Sequence, residues 1–132
     1  MEDALSKVES YIESYGWTYQ RLEDKMLLSQ FYGENADTYF NLIFTAKEYW
    51  IELTVCPYFL LPTDKEKSVY EALCRLNFQI RFARLSISER CGVALCVDIP
   101  MEKLDEDILH LSIDVITYYA DQLYPQLLEF WA

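Results

Sequence analysis

The segment 102–123 constrains the fold more than any other, because its apolar residues fill more than one helical stripe. Leu109, Ile113, Ile116, Ala120, Leu123 and Leu127 recur at 4-3-4-3-4 spacing, and Leu104, Ile108, Leu111, Val115 and Tyr118 or Tyr119 form a second stripe beside them. At about 100° per residue, the two stripes together sweep roughly 240° of the circumference. The narrow face left over carries Lys103, Asp107, His110, Asp114, Thr117 and Asp121 and is expected to be wet. A helix lying on one sheet needs only about half that arc. The surplus is therefore expected to be covered by other helices, by a second copy of the chain or by a partner. Pro125 is expected to break or kink the helix and to leave the residues after it as a terminal turn.

The segments before it read as follows. Leu5, Val8, Ile12 and Tyr15 at 3-4-3 spacing, ahead of Gly16, predict a helix over 2–15 closed by a left-handed glycine. Over 17–59 the apolar period falls to two, with Phe40, Leu42 and Phe44 and then Ile51, Leu53 and Val55 sharing a face. Breaks at 23–25, 33–37 and 46–48 divide this stretch into about four antiparallel strands, the first over 17–22. Thr63, three residues before Glu66, has the spacing of a capping box and opens a helix over about 64–76. Phe78, Ile80 and Phe82 alternate in one phase and Leu85 and Ile87 in the other, which places a strand start or a bulge at 83–84. Val93, Leu95, Val97 and Ile99 then alternate until Pro100 stops the ladder. The expected architecture is α+β, an antiparallel sheet of about five to six strands packed with three helices in the order α-β(3-4)-α-β-β-α, as one domain over 1–132.

A formal charge of -11 repels phosphate backbones and acidic lipid surfaces, so neither nucleic acid nor a membrane is expected as partner. "MEDALSKVES" has neither a basic n-region nor an apolar h-region, and no stretch approaches the roughly 20 apolar residues that span a bilayer. A cytoplasmic protein is expected. Cys56, Cys74, Cys91 and Cys96 lack C-x-x-C spacing and have a single histidine to join them as zinc ligands. They are expected to be reduced, partly buried small apolar residues, neither metal ligands nor bridges.

Catalytic patterns are scarce. His110 is the one histidine, so any triad or histidine–metal site would be built on it, and between Glu106 and Asp114 it reads as a solvated helix residue. Three scattered glycines form no phosphate-cradling loop and no nucleophile elbow. The acids Asp105, Glu106 and Asp107 suit the dipole at the start of a helix better than a paired-carboxylate site. No catalytic residue, metal or cofactor is expected. Arg81 and Arg84 stand out in so acidic a chain and have the geometry to receive a carboxylate, from a ligand, a partner or this chain's own acids.

The stretch "LCRLNFQIRFARLSISERCGVALCVDIPMEKLDEDILHLSIDVITYYADQLYPQL" resembles the YbjN-like family. The matching features are Leu76 and Asn77, Gly92, Pro100, Ala120 and Asp121, and Tyr124 and Pro125, with the closest likeness over 63–128. In the N-terminal half the strand pattern and "YWIELTV" support it. The resemblance implies a fold like that of the type III secretion chaperones, small acidic α+β proteins that are commonly homodimers, bind extended client segments and have no enzymatic activity. The expected function is accordingly a non-enzymatic protein-binding module, chaperone-like or regulatory, probing its partner with apolar and aromatic surface. Trp50, Phe59, Tyr118, Tyr119 and Leu123 are the candidates for partner or dimer contact. The alternative is a small-ligand sensor with an anion contact near Arg81 and Arg84.

Overall fold

A computed structural model describes residues 3–23, 25–89 and 91–131. In chain order the elements are α1 (Ala4–Tyr15), β1 (Gln20–Glu23), β2 (Met26–Gly33), β3 (Thr38–Ala46), β4 (Trp50–Phe59), α2 (Glu66–Gln79), β5 (Arg84–Ser88), β6 (Gly92–Pro100) and α3 (Glu106–Leu128). Single 3-10 turns, Met101–Lys103 and Glu129–Trp131, precede and follow α3. The strands form one six-stranded sheet in the order β1-β2-β3-β4-β6-β5, every neighbouring pair antiparallel. This is the expected α+β order. The chain departs from a simple meander once: after β4 it runs out through α2 to the edge strand β5 and returns as β6 between the two.

The alternation gives the sheet two unlike faces. Phe40, Leu42 and Phe44 of β3, Ile51, Leu53 and Val55 of β4, and Val93, Leu95, Val97 and Ile99 of β6 are buried on one face, together with Leu5, Val8 and Ile12 of α1 and the first stripe of α3. The register carries the pattern across strands, Leu27 opposite Phe44 and Phe44 opposite Leu53, so one row of apolar side chains spans the sheet. Residues of the other phase, Ile43, Thr45, Glu52, Thr54 and Cys56, line an open recess of about 530 Å³ on the outer face.

Helix ends follow their local chemistry. Asp3 accepts the Ser6 N–H at 2.7 Å, and Gly16 closes α1 at φ 96°, as its place in the sequence predicts. The expected first residue of that helix, residue 2, lies outside the described residues. The capping box at Thr63 does not form: α2 starts at Glu66 behind Lys65, which makes no side-chain cap. That helix runs on to Gln79, so Phe78 is helical and the expected strand phase through Phe78, Ile80 and Phe82 does not exist. The strand start expected at 83–84 is there, at Arg84. The first strand is shorter and later than expected, Gln20–Glu23. α3 begins at Glu106, four residues later than expected, because Asp105 takes the cap position and accepts the Ile108 N–H at 2.8 Å.

Pro125 does not end α3, which continues to Leu128. A proline inside a helix removes the N–H that would bond the carbonyl four residues back, here that of Asp121. The Asn35 side chain supplies the missing donor, Nδ2 to Asp121 O at 3.3 Å, and the Asp121 carboxylate in turn accepts the Ala36 N–H at 2.8 Å. The β2–β3 turn therefore clasps α3 just where the helix is short of a donor. Gly33 leaves room for this: a Cβ there would lie 2.6 Å from Asp121 Oδ1.

Asn77 does comparable work at the sheet edge. Its amide pairs with both backbone groups of Leu85, accepting from N at 2.7 Å and donating to O at 2.9 Å, as a neighbouring strand would. Replacing Asn77 with alanine leaves both groups of a part-buried edge residue unpartnered. The expected loss is about 1–3 kcal/mol of unfolding free energy, read by urea denaturation. A loss within error of zero would mean that water replaces the amide at no cost.

Candidate functional site

The second stripe of α3 stays open. Among the described residues no helix or strand lies across Ile108, Leu111, Val115 and Tyr118, and with Tyr119, Asp114, Arg81 and Phe82 they line a groove of about 540 Å³. Its floor is α3, where Leu111 is 50% and Tyr118 61% exposed. Its wall is the loop between α2 and β5, tied to the floor by the Arg81 N–H donating to the Tyr119 hydroxyl at 3.0 Å. A surface so apolar and continuous is the kind that a soluble protein keeps for contact with another molecule.

The wall is held in an unusual conformation. Phe82 has φ 70°, and the Ala83 N–H donates to Arg81 O at 2.8 Å across it, a three-residue turn in the left-handed region. A bulky residue there costs on the order of 1–3 kcal/mol. That strain brings an aromatic ring, 47% exposed, to the rim of the groove.

The expected site residues fall into separate places. Tyr118, Tyr119 and Arg81 meet at the groove. Phe59 and Leu123, expected at an interface, are core residues at 3% and 5% exposure, because β4 turns Phe59 inward opposite Val93 and Leu123 lies on the buried stripe. Trp50 is exposed, beside a different recess formed with Tyr49, Pro100 and Met101. Arg81 and Arg84 do not converge. The Arg81 guanidinium donates to Phe78 O and Ile80 O at the end of α2, whereas Arg84 pairs with Asp98 at 2.8 Å on the outer face. They offer no common anion contact, and the carboxylate that Arg84 receives is the chain's own. Phe82, missed by the sequence reading, was disguised by its place in an apparent i, i+2 alternation.

The face of α3 expected to be wet is exposed at Asp107 and Asp114, and around His110 it also meets α1 in a polar seam. His110 is half-buried, with Nε2 2.8 Å from Tyr11 O and 3.1 Å from Ser14 Oγ, while Ser14 donates to Glu106 at 2.8 Å. Serine, histidine and glutamate thus meet, but not as a proton relay. A carbonyl only accepts, so Nε2 carries the proton toward Tyr11 and cannot take one from Ser14. Tyr15 donates to Asp114, and burial followed by that carboxylate pushes the phenol up to about 12. Its contribution to stability is fully present below the ordinary tyrosine range near 10 and fades as pH rises through about 12.

The cysteines depart from expectation. Cys56 and Cys91, expected to be reduced, form a disulfide with Cα atoms 5.4 Å apart, although 35 positions separate them in the sequence. A register shift in β4 between Val55 and Phe59 sets Cys56 beside the β5–β6 turn that carries Cys91. Cys74 is free and exposed, and Cys96 is free and buried, its thiol pushed up by desolvation. Among the described residues no three metal-ligating side chains gather. No helix there is long and apolar enough to cross a membrane.

Comparison with known proteins places the fold and the family. No curated protein sequence matches the chain. The crystal structure of YbjN from E. coli, described as "a putative transcription regulator", superposes with a TM-score of 0.68 at 7% identity, covering 95% of this chain and 93% of that one. A chain of the heterodimeric ExoU–SpcU complex from the type III secretion system of Pseudomonas aeruginosa gives 0.65 at 18% identity, over 91% and 97%. A chain of the ExsC–ExsE complex gives 0.66 at 12% identity, over 96% and 97%. The fold is that of the type III secretion chaperones. The family model described as "Putative bacterial sensory transduction regulator" matches residues 4–129, and the chain belongs to that family, YbjN.

Proposed function

We propose that the chain is a non-enzymatic protein-binding module, chaperone-like or regulatory, that works in the cytoplasm as a homodimer joined along α3. The observation that carries this reading is the open second stripe. Ile108, Leu111, Val115 and Tyr118 follow one another at 3-4-3 spacing, the seam of a helix meant to face another helix. The sheet edges are poorer candidates: Asn77 occupies the outward backbone groups of Leu85 on β5, and β1 is short and charged. Three of the solved neighbours are complexes with a second protein, which supports protein binding by this fold.

Size-exclusion chromatography with light scattering, over a dilution series, tests this. A dimer is expected, tightening with salt because each copy carries a charge of -11 and the seam is apolar. Leu111→Glu, at a half-exposed position, is expected to weaken self-association by roughly a hundredfold with melting temperature little changed. Phe82→Gly relieves backbone strain while removing the rim ring, so it should hold or raise stability and still weaken association. A wild-type chain that stays monomeric at every concentration would remove the homodimer.

A further inference from the structure

The Cys56–Cys91 bond closes a ring of chain that contains α2, the Arg81–Phe82 wall of the groove and β5. Much of this limb is lightly packed, although Ile80, Ala83 and Leu85 within it are buried. α2 buries only Val69 and Leu73, and β5 is a five-residue edge strand paired with β6 alone. Both bonded cysteines are half-exposed and line the outer recess, where a small thiol reaches them. The other two thiols do not compete, since Cys96 is buried and Cys74 lies on the outside of α2.

We propose that Cys56–Cys91 is a reversible redox clasp that sets how firmly the groove wall is held. As a regulation of the groove, it rests on the reading of that groove as a binding surface. Reduction uses a dithiol: one of its thiolates attacks the bond, its second thiol resolves the mixed disulfide, and it leaves as a disulfide. Cys56 and Cys91 thereby gain two electrons and two protons and become thiols. Oxidation reverses this with a low-molecular-weight disulfide, which leaves as two thiols. With the bond closed, opening of the limb cannot release both ends of the ring, so its freedom in the open state is curtailed. With the bond broken, the burial of Val69, Leu73, Ile80, Ala83 and Leu85, the β5–β6 pairing, and the Asn77 and Arg81–Tyr119 contacts are left to hold the wall.

Hydrogen exchange by mass spectrometry on the full chain, with and without dithiothreitol, reads this directly, while thiol alkylation and intact mass report the state of the bond. Exchange over 66–88 is expected to accelerate by roughly a hundredfold on reduction, while α1, β2, β3 and α3 keep their protection. The double variant Cys56→Ser, Cys91→Ser should show the fast rate with or without reductant. The proposal is overturned by equal exchange in both states, by acceleration spread evenly over the molecule, or by a bond that dithiothreitol cannot reach without denaturant. Self-association of the two forms, measured in parallel, separates the two readings. A limb that loosens with no change in association leaves the clasp standing and counts against the groove; an unchanged limb removes the clasp whatever the groove does.

Discussion

Truncating Phe44 to alanine is expected to lower the unfolding free energy by about 3–5 kcal/mol, measured by urea denaturation. Phe44 is the largest of the fully buried side chains, placed mid-sheet opposite Leu27 on β2 and Leu53 on β4. Close packing on both sides leaves no neighbour free to fill the space, so the cavity cost adds to the lost transfer energy. For a domain whose total stability is of the order of 5–15 kcal/mol, that is a large fraction. Ile43, one residue earlier, points to the outer recess, and Ile43→Ala should cost only about 1 kcal/mol. Equal costs at the two positions would mean that the outer face is covered as thoroughly as the inner one.

The second large effect is expected at the clasp between α3 and the β2–β3 turn. Asp121→Ala strips the part-buried Ala36 N–H of a charged acceptor and should cost about 1–3 kcal/mol. Gly33→Ala should cost about 1–3 kcal/mol as well, because its methyl group would meet Asp121 Oδ1 at 2.6 Å and Phe40 Cε2 at 3.0 Å. The two losses should not add. With Asp121 already shortened, the methyl group at position 33 has only Phe40 to displace, so the double variant should fall short of the sum by about 1 kcal/mol. Strict additivity would show that the carboxylate has swung clear of Gly33 in solution.

Much of this architecture is visible in the residues themselves, for a specific reason. The first stripe of α3, Leu109 to Leu127, is buried at every position because its spacing is sustained over five turns, long enough for a helical period to be unmistakable. The strands were legible from alternation backed by turn residues. Short runs were not: Phe78, Ile80 and Phe82 alternate by chance across a helix end and a turn, and three residues cannot separate the two periods. The disulfide was invisible because it depends on where the register shift in β4 puts Cys56, a tertiary fact with no local trace. The contact of this polar face with α1 was hidden for a related reason. A stripe of His, Asp and Thr reads as solvated until another helix brings Tyr11, Ser14 and Tyr15 to meet it. The groove was legible as a surplus of apolar arc, and its wall was not.

Three of the residues that carry the resemblance to the family have structural roles. Asn77 seals an edge strand, Gly92 at φ 66° passes within 2.9 Å of Phe59 O as a Cβ would lie, and Ala120 O accepts the Tyr58 hydroxyl at 2.8 Å.

The proline within α3 has a consequence for the order in which the molecule assembles. The carbonyl it frees on Asp121 finds its donor on Asn35, 86 positions earlier in the chain. The carbonyls on either side of it find donors within the helix; that of Asp121 alone waits for the β2–β3 hairpin to arrive. The last turns of α3 should therefore gain protection late in refolding, together with the hairpin and behind the rest of their own helix.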